Sequence, residues 1–92
     1  MKVVRGIHEL IGSTPILEVT HFPLKRGIRL YAKLEFFNPG GSIKDRLGIE
    51  LLHQALKHDD LKIGGTLIEP TAGNTGIGLV LAAINRGINV IF

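Results

Sequence analysis

Residues 66–78 read TLIEPTAGNTGIG, and this stretch decides the fold of the chain. It opens with the short apolar run TLIE, which is typical of a buried strand, and Pro70 ends that run. The apolar spacing over residues 74–85 then predicts a helix, and residues 88–92 predict another apolar strand. A strand, a helix and a strand joined by short connections predict two parallel strands with a crossover helix.

The same alternation extends toward the amino terminus. Residues 16–19 and 28–34 predict strands, and the spacing of apolar residues predicts a helix from Ser42 to about residue 57. The whole pattern predicts an α/β fold with a βαβαβ parallel sheet covered by helices. Because residues 1–92 stop within an apolar strand, we expect them to be the first part of a longer chain. The apolar positions that define the predicted 42–57 helix are Ile43, Leu47, Leu51, Leu52, Ala55 and Leu56.

Residues 38–46 read NPGGSIKDR and predict a turn followed by the start of this helix. A structural interpretation makes Ser42 the N-cap and Asp45 the acidic partner in a capping box, with Lys44 as a solvated cation. A cation in the first turn opposes the positive end of the helix dipole, however, so a purely structural design would favour an acid there. Lys44 is therefore a candidate for chemistry that uses an amine.

The loop between strand and helix, PTAGNTGIG at residues 70–78, is a candidate anion site. Its glycines let the backbone approach a ligand, and Thr71, Asn74 and Thr75 surround the amide-rich start of a helix. The glycine order G-x-x-G-x-G matches neither the dinucleotide fingerprint nor the P-loop, and a tight structural connection is the alternative. Together with Lys44, this loop has the groups needed to hold a carbonyl cofactor and an amino acid carboxylate.

Composition excludes several classes of function. The chain has no cysteine, so disulfides, thiolate metal ligands and a cysteine nucleophile are excluded. The net charge is +3, but the basic residues are scattered and lack interleaved aromatic residues, which argues against nucleic-acid binding. The four histidines are not spaced as metal ligands, so we expect no metal. Without a long apolar run or a secretory signal, we expect no membrane association and a cytoplasmic location.

Three blocks carry a resemblance to a known family: IGSTP at 11–15, KLEFFNPGGSIKDR at 33–46 and EPTAGNTGIG at 69–78. From about residue 10 onward, the chain resembles the cysteine synthase and cystathionine β-synthase family of pyridoxal-phosphate enzymes. The resemblance implies the tryptophan synthase β-subunit fold, called fold type II, of which residues 1–92 would be the amino-terminal part. It also implies pyridoxal 5′-phosphate as the cofactor, a later loop that holds the cofactor phosphate, and a homodimer of the complete protein.

The resemblance also implies roles for individual residues. Lys44 would bind the cofactor covalently and transfer the proton of the substrate α-carbon. Asn74 would contact the ring hydroxyl oxygen of the cofactor, and Gly40 and Gly41 would make room for the cofactor and for backbone. A partly desolvated lysine that the helix dipole disfavours suits imine chemistry. The implied reaction is a β-replacement, in which a sulfur nucleophile displaces the β-substituent of O-acetylserine or serine. The implied substrate-binding residues are Thr71, Ala72, Gly73 and Thr75.

Position 72 departs from the commonest family pattern, which has serine where this chain has Ala72. The alanine resembles the loop of bacterial enzymes that join O-acetylserine to homocysteine, so we expect homocysteine as the thiol, with sulfide as the alternative. A hydrolase that uses Ser42 and Lys44 is disfavoured, because residues i and i+2 of a helix point about 200° apart. A truncated, non-enzymatic relative is a further hypothesis, and we expect residues 1–92 alone to be inactive.

Overall fold

The computed structural model describes all residues from 1 to 92 and has an α/β arrangement. The predicted order of elements is confirmed, with strands shorter than the sequence pattern indicated. Two 3-10 helices, Ile7–Leu10 and Glu35–Phe37, precede the first strand and the first α-helix. Neither α-helix has the length and apolarity to cross a membrane. The elements are β1 (Ile16–Glu18), β2 (Tyr31–Lys33), α1 (Lys44–Lys57), β3 (Thr66–Ile68), α2 (Asn74–Ala83) and β4 (Asn89–Ile91).

The parallel pairing predicted for the second half of the chain is confirmed. β3 and β4 pair in parallel, with Leu67 opposite Val90, and α2 connects them. β2, which the sequence placed in the same parallel sheet, instead pairs antiparallel with β1, where Ala32 lies opposite Leu17. The connection from β1 to β2 contains no helix, so the chain simply reverses direction there, as antiparallel neighbours allow.

The buried face of α1 agrees only in part with the apolar pattern, in which Leu52 is the one position that is fully buried. Asp45, Gly48 and Leu52 are the buried residues of this helix, and their spacing of three and four residues places them on one face. Leu47 and Leu51, which belong to the predicted apolar face, are exposed. An acid and a glycine therefore occupy the side of α1 that contacts the rest of the chain.

Helices α1 and α2 approach each other backbone to backbone at two glycines. A Cβ atom placed on Gly48 would overlap the backbone of Gly78, and one placed on Gly78 would overlap the carbonyl of Lys44. The same Cβ on Gly78 would lie 3.1 Å from the Cα of Asp45. The helices reach this separation because neither Gly48 nor Gly78 carries a side chain. The contact joins the amino-terminal halves of both helices.

The buried core is small and leaves much apolar surface uncovered. Only 10 of the 92 residues are buried, and the Cα radius of gyration is 16.8 Å. A compact domain of this length would have a radius of gyration of about 12 Å. Ile68 of β3 and Ile91 of β4 are exposed, although parallel strands are normally covered on both faces. The core cluster consists of Leu52, Leu61, Ala82 and Ala83.

Replacing Gly48 by alanine in the full-length protein should lower its melting temperature. Alanine normally stabilises a helix by about 1 kcal/mol relative to glycine, so a loss of stability here would report the contact with α2. Overpacking typically costs about 1–3 kcal/mol, and the overlapped group is backbone that cannot rotate away. The measurement is thermal unfolding of the cofactor-free protein.

The matched control is Gly73→Ala. A Cβ atom at Gly73 would meet no other atom within 4 Å, and the φ of −135° suits any residue. We expect this variant to change stability far less. A Gly48→Ala variant that melts at or above the temperature of the parent would contradict the backbone contact.

Candidate functional site

The turn before α1 is held by a chain of hydrogen bonds. The Gly41 N–H donates to the Asn38 carbonyl at 2.8 Å, and the φ of +82° at Gly41 favours glycine. The buried Asn38 side chain donates from Nδ2 to the Ser42 carbonyl at 3.0 Å. Ser42 Oγ accepts a hydrogen bond from the Lys44 N–H at 3.1 Å. The backbone on the amino-terminal side of Lys44 is thereby fixed.

Asp45 is not the partner in a capping box, which corrects the structural interpretation of residues 42–45. Its Oδ2 accepts a hydrogen bond from the Gly40 N–H at 2.5 Å, and its side chain is fully buried. A Cβ atom at Gly40 would overlap Asp45 Oδ1 and would lie 2.8 Å from Leu81 Cδ1. The space beside Gly40 is therefore filled by the side chains of Asp45 and Leu81, where room for the cofactor and for backbone was expected.

Lys44 is the first residue of α1, and its side chain is exposed. The side chain makes no hydrogen bond or ion pair within the chain. The expectation that Lys44 is partly desolvated is therefore wrong within residues 1–92. The backbone carbonyl of Lys44 lies against Gly78 of α2, so the start of α1 contacts α2 while the Lys44 amine remains accessible.

Residues 71–73 lead into α2, whose first two residues are Asn74 and Thr75. Thr71 Oγ1 accepts a hydrogen bond from the Gly73 N–H at 3.3 Å, and Gly73 is the N-cap residue of the helix. No side chain caps α2, so N–H groups in its first turn are available to an anion. Asn74 is the first helical residue, and its exposed side chain makes no hydrogen bond within the chain. Thr75 is half-buried.

A pocket of about 370 Å³ lies beside this loop. Three of the six predicted site residues line the pocket, and three do not. The lining residues are Thr71, Ala72 and Gly73, and the residues outside it are Lys44, Asn74 and Thr75. The structure thus brings the loop residues together around one cavity and brings Lys44 toward α2 through its backbone.

Phe92 is a wall residue of this pocket that the sequence reasoning missed. A Cβ atom on Gly76 would lie 3.0 Å from Phe92 Cζ and 3.0 Å from Thr71 Cγ2, so the ring packs beside the loop. The parallel order of β3 and β4 could have indicated this position. Parallel strands bring their carboxyl ends to one edge, so the residue that follows β4 lies near the loop that follows β3.

Glu35, which the sequence analysis also missed, lies at the centre of a polar network. Arg46 donates from Nε and Nη2 to its two carboxylate oxygens at 2.8 and 3.1 Å. Thr14 Oγ1 donates at 2.6 Å and Asn38 Nδ2 at 2.9 Å, and Lys33 Nζ lies 3.3 Å away. The Arg46 guanidinium, followed by the Thr14 hydroxyl, holds the pKa of the Glu35 carboxyl well below its usual value. The network ties the first residues of the chain to α1.

The chain is similar to known proteins over almost its whole length. Residues 7–92 match the family described as pyridoxal-phosphate dependent enzyme. The chain is 54% identical over 92 residues to the O-acetylserine dependent cystathionine beta-synthase of Bacillus subtilis, covering 100% of this chain and 30% of that protein. It is 44% identical over 94 residues to the cysteine synthase of Helicobacter pylori, covering 100% of this chain and 31% of that protein.

A solved structure supports the same relationship. The crystal structure of cystathionine beta-synthase from Bacillus anthracis aligns with a TM-score of 0.82 and 63% sequence identity. The alignment covers 98% of this chain and 34% of that chain. The chain therefore spans about a third of the length of the relatives that it matches.

Replacing Glu35 by glutamine in the full-length protein should destabilise it in a pH-dependent way. The pKa of Glu35 is lowered on folding, so its contribution is fully present above the usual value of 4.5 and is lost progressively as the pH falls below it. The melting temperature of the variant should lie below that of the parent at neutral pH, and the two should converge in acid.

The matched control is Asp60→Asn, which changes an exposed carboxylate that makes no hydrogen bond or ion pair. Its melting temperature should follow that of the parent at every pH. A difference between parent and Glu35→Gln that stayed constant from neutral to acidic pH would contradict the network described.

Proposed function

Because the chain belongs to the family of pyridoxal-phosphate dependent enzymes, we propose that the full-length protein replaces the β-substituent of an activated serine with a sulfur nucleophile. Family membership confirms the resemblance, the fold class and the cofactor that the sequence predicted. One observation carries the proposal. The helix that begins with Lys44 and the helix that begins with Asn74 are in contact at Gly48 and Gly78.

The chemistry of the side chains fits this cofactor and an amino acid substrate. A carbonyl cofactor that binds covalently needs an amine, and the Lys44 amine has no ion-pair partner. The cofactor ring oxygen needs a hydrogen-bond donor, and the Asn74 amide has no partner within the chain. A carboxylate needs N–H and O–H donors, which the loop offers at the start of α2. The residues proposed for the substrate carboxylate are Thr71, Ala72, Gly73 and Thr75.

Each of these groups has a distinct task in a β-replacement. The cofactor, when bound, supplies an electron sink for negative charge at the substrate α-carbon. The Thr71 and Thr75 hydroxyls and the N–H groups of the loop hold the substrate carboxylate, which orients the α-carbon. The Lys44 amine would accept the proton from that carbon as the β-substituent leaves with its bonding electrons, as acetate from O-acetylserine. It would return a proton to the α-carbon after the thiolate form of the nucleophile has added at the β-carbon. Asn74 fixes the cofactor by a hydrogen bond without forming the covalent link.

We propose O-acetylserine and homocysteine as the substrates. The Bacillus subtilis relative is named an O-acetylserine dependent cystathionine beta-synthase, and homocysteine is the thiol that yields cystathionine from an activated serine. Ala72 supports the same choice, because it lines the pocket with a methyl group where serine would add a hydroxyl. Cysteine synthesis from sulfide is the second candidate. The Helicobacter pylori relative is named a cysteine synthase, whereas a solved Helicobacter pylori structure at the same 44% identity is described as an O-acetylserine dependent cystathionine beta-synthase.

We also propose that residues 1–92 are the amino-terminal part of the catalytic domain and are inactive by themselves. The shortage of buried residues supports this proposal, because uncovered apolar surface of this extent normally packs against other protein. The share of about a third of each relative supports it as well. A homodimer of the full-length protein and a cytoplasmic location stay predictions.

Sodium borohydride treatment of the full-length protein loaded with pyridoxal phosphate should fix the cofactor permanently to Lys44. Reduction converts a lysine–cofactor imine into a stable amine, so peptide mass mapping can locate the attachment. Lys44→Arg retains the charge but cannot form the link, and it should carry no reduced cofactor. Lys33, whose Nζ lies 3.3 Å from Glu35 Oε1, is the internal control. Cofactor found on Lys33 would refute the assignment of Lys44.

Replacing Ala72 by serine should move the thiol preference toward sulfide. One net hydrogen bond is worth about 0.5–1.5 kcal/mol, so the ratio of kcat/KM for homocysteine over sulfide should fall about 2- to 12-fold. Ala32→Ser, in β2 and outside the pocket, is the matched control and should leave the ratio unchanged. A parent that strongly prefers sulfide, or a ratio that Ala72→Ser does not move, would refute the homocysteine proposal.

A further inference from the structure

The Asp45 carboxylate follows Lys44 directly in the sequence and is completely buried. Its Oδ2 accepts the hydrogen bond from Gly40, but its Oδ1 has no hydrogen-bond partner. A buried polar atom without a partner destabilises a fold, and a buried carboxylate does so more strongly than a neutral group. Stability alone therefore does not account for an aspartate at this position.

The contacts of Asp45 fix the rotation of the first turn of α1. Its carboxylate reaches back to Gly40 on one side, and its Cα lies beside Gly78 of α2 on the other. Successive residues of an α-helix point about 100° apart, so fixing the direction of Asp45 also fixes the direction of Lys44. Lys44 has no side-chain hydrogen bond or ion pair of its own that could set this direction.

We propose that Asp45 is a positioning residue for Lys44. Its hydrogen bond to Gly40 locks the turn at residues 38–41 onto the first turn of α1 and so sets where the Lys44 amine points. This inference rests on the proposed function, in which Lys44 binds pyridoxal phosphate covalently. Asp45 itself contacts neither substrate nor cofactor in this account.

The test measures how fast the cofactor-free, full-length protein attaches pyridoxal phosphate to Lys44. Samples are quenched with borohydride at successive times, and the modified Lys44 peptide is quantified by mass spectrometry. Asp45→Ala removes the acceptor for Gly40, and a misplaced amine should attach the cofactor about 10- to 100-fold more slowly. Asp45→Asn retains an acceptor oxygen of the same reach, so it should attach the cofactor within about threefold of the parent rate.

A second pair of variants tests the same contact from the other side. Gly40→Ala places a methyl group against Asp45 Oδ1, so it should slow attachment as Asp45→Ala does. In the double variant Gly40→Ala/Asp45→Ala the methyl group meets the space left by the missing carboxylate, and its remaining contact is with Leu81 Cδ1, the end of a flexible side chain. The double variant should therefore be no slower than either single variant, whereas independent effects would multiply.

Leu52→Val separates positioning from general stability. Leu52 is buried on the same helix but lies in the core cluster, away from the turn, so its loss should lower the melting temperature and leave the attachment rate near that of the parent. If Asp45→Ala does not fold, Asp45→Ser, whose hydroxyl is too short to reach Gly40, takes its place. Circular dichroism of the cofactor-free protein establishes that each variant is folded.

Three results would overturn the inference. The first is attachment at the parent rate in folded Asp45→Ala or Asp45→Ser. The second is equal slowing by Asp45→Ala and Asp45→Asn, which would separate the effect from the Gly40 hydrogen bond. The third is equal slowing by Leu52→Val. A parent protein that attaches no cofactor at Lys44 would instead refute the proposed function on which the inference rests.

Discussion

The close contact between α1 and α2 at Gly48 and Gly78 is the constraint on which the candidate site depends. Each helix carries candidate site residues at its start, and the contact lies within the first half of each helix. A side chain at either glycine would separate the helices, and with them the Lys44 backbone from α2. The site is therefore built by helix packing, which a local motif cannot provide by itself.

Hydrogen bonds fix the turn that precedes Lys44, in addition to the packing of the two helices. The Glu35 carboxylate accepts hydrogen bonds from the side chains of Thr14, Asn38 and Arg46. The Asn38 side chain also donates to the Ser42 carbonyl. This network and the Asp45 carboxylate hold the turn before Lys44 from two sides. Charge-assisted hydrogen bonds of this kind have strict geometry, so they can orient a backbone that small glycines leave flexible. The Lys44 amine is thus accessible, and the backbone that carries it is held in place.

Local patterns in the sequence predicted the element order, the α/β class, the family and the loops of the candidate site. Apolar periodicity, turn residues and three short motifs are properties of neighbouring residues, so sequence reasoning could find them. The buried face of α1 and the partner of β2 depend on contacts between distant residues. The first was predicted only in part, and the prediction of the second was wrong. In the sequence alone, Gly48 is only a residue that weakens a helix, and its purpose is visible once Gly78 is known to lie against it. In the same way Asp45 has the pattern of a capping residue, whereas the structure shows that it accepts a hydrogen bond from Gly40.

The most direct test of this account is a crystal structure of the full-length protein with pyridoxal phosphate bound. We expect continuous electron density from Lys44 Nζ to the cofactor and a hydrogen bond from the Asn74 side chain to the cofactor ring oxygen. We also expect that α1 and α2 remain in contact at Gly48 and Gly78. Cofactor bonded to another lysine, or an Asn74 side chain that points away from the ring, would contradict a site built across the starts of these two helices.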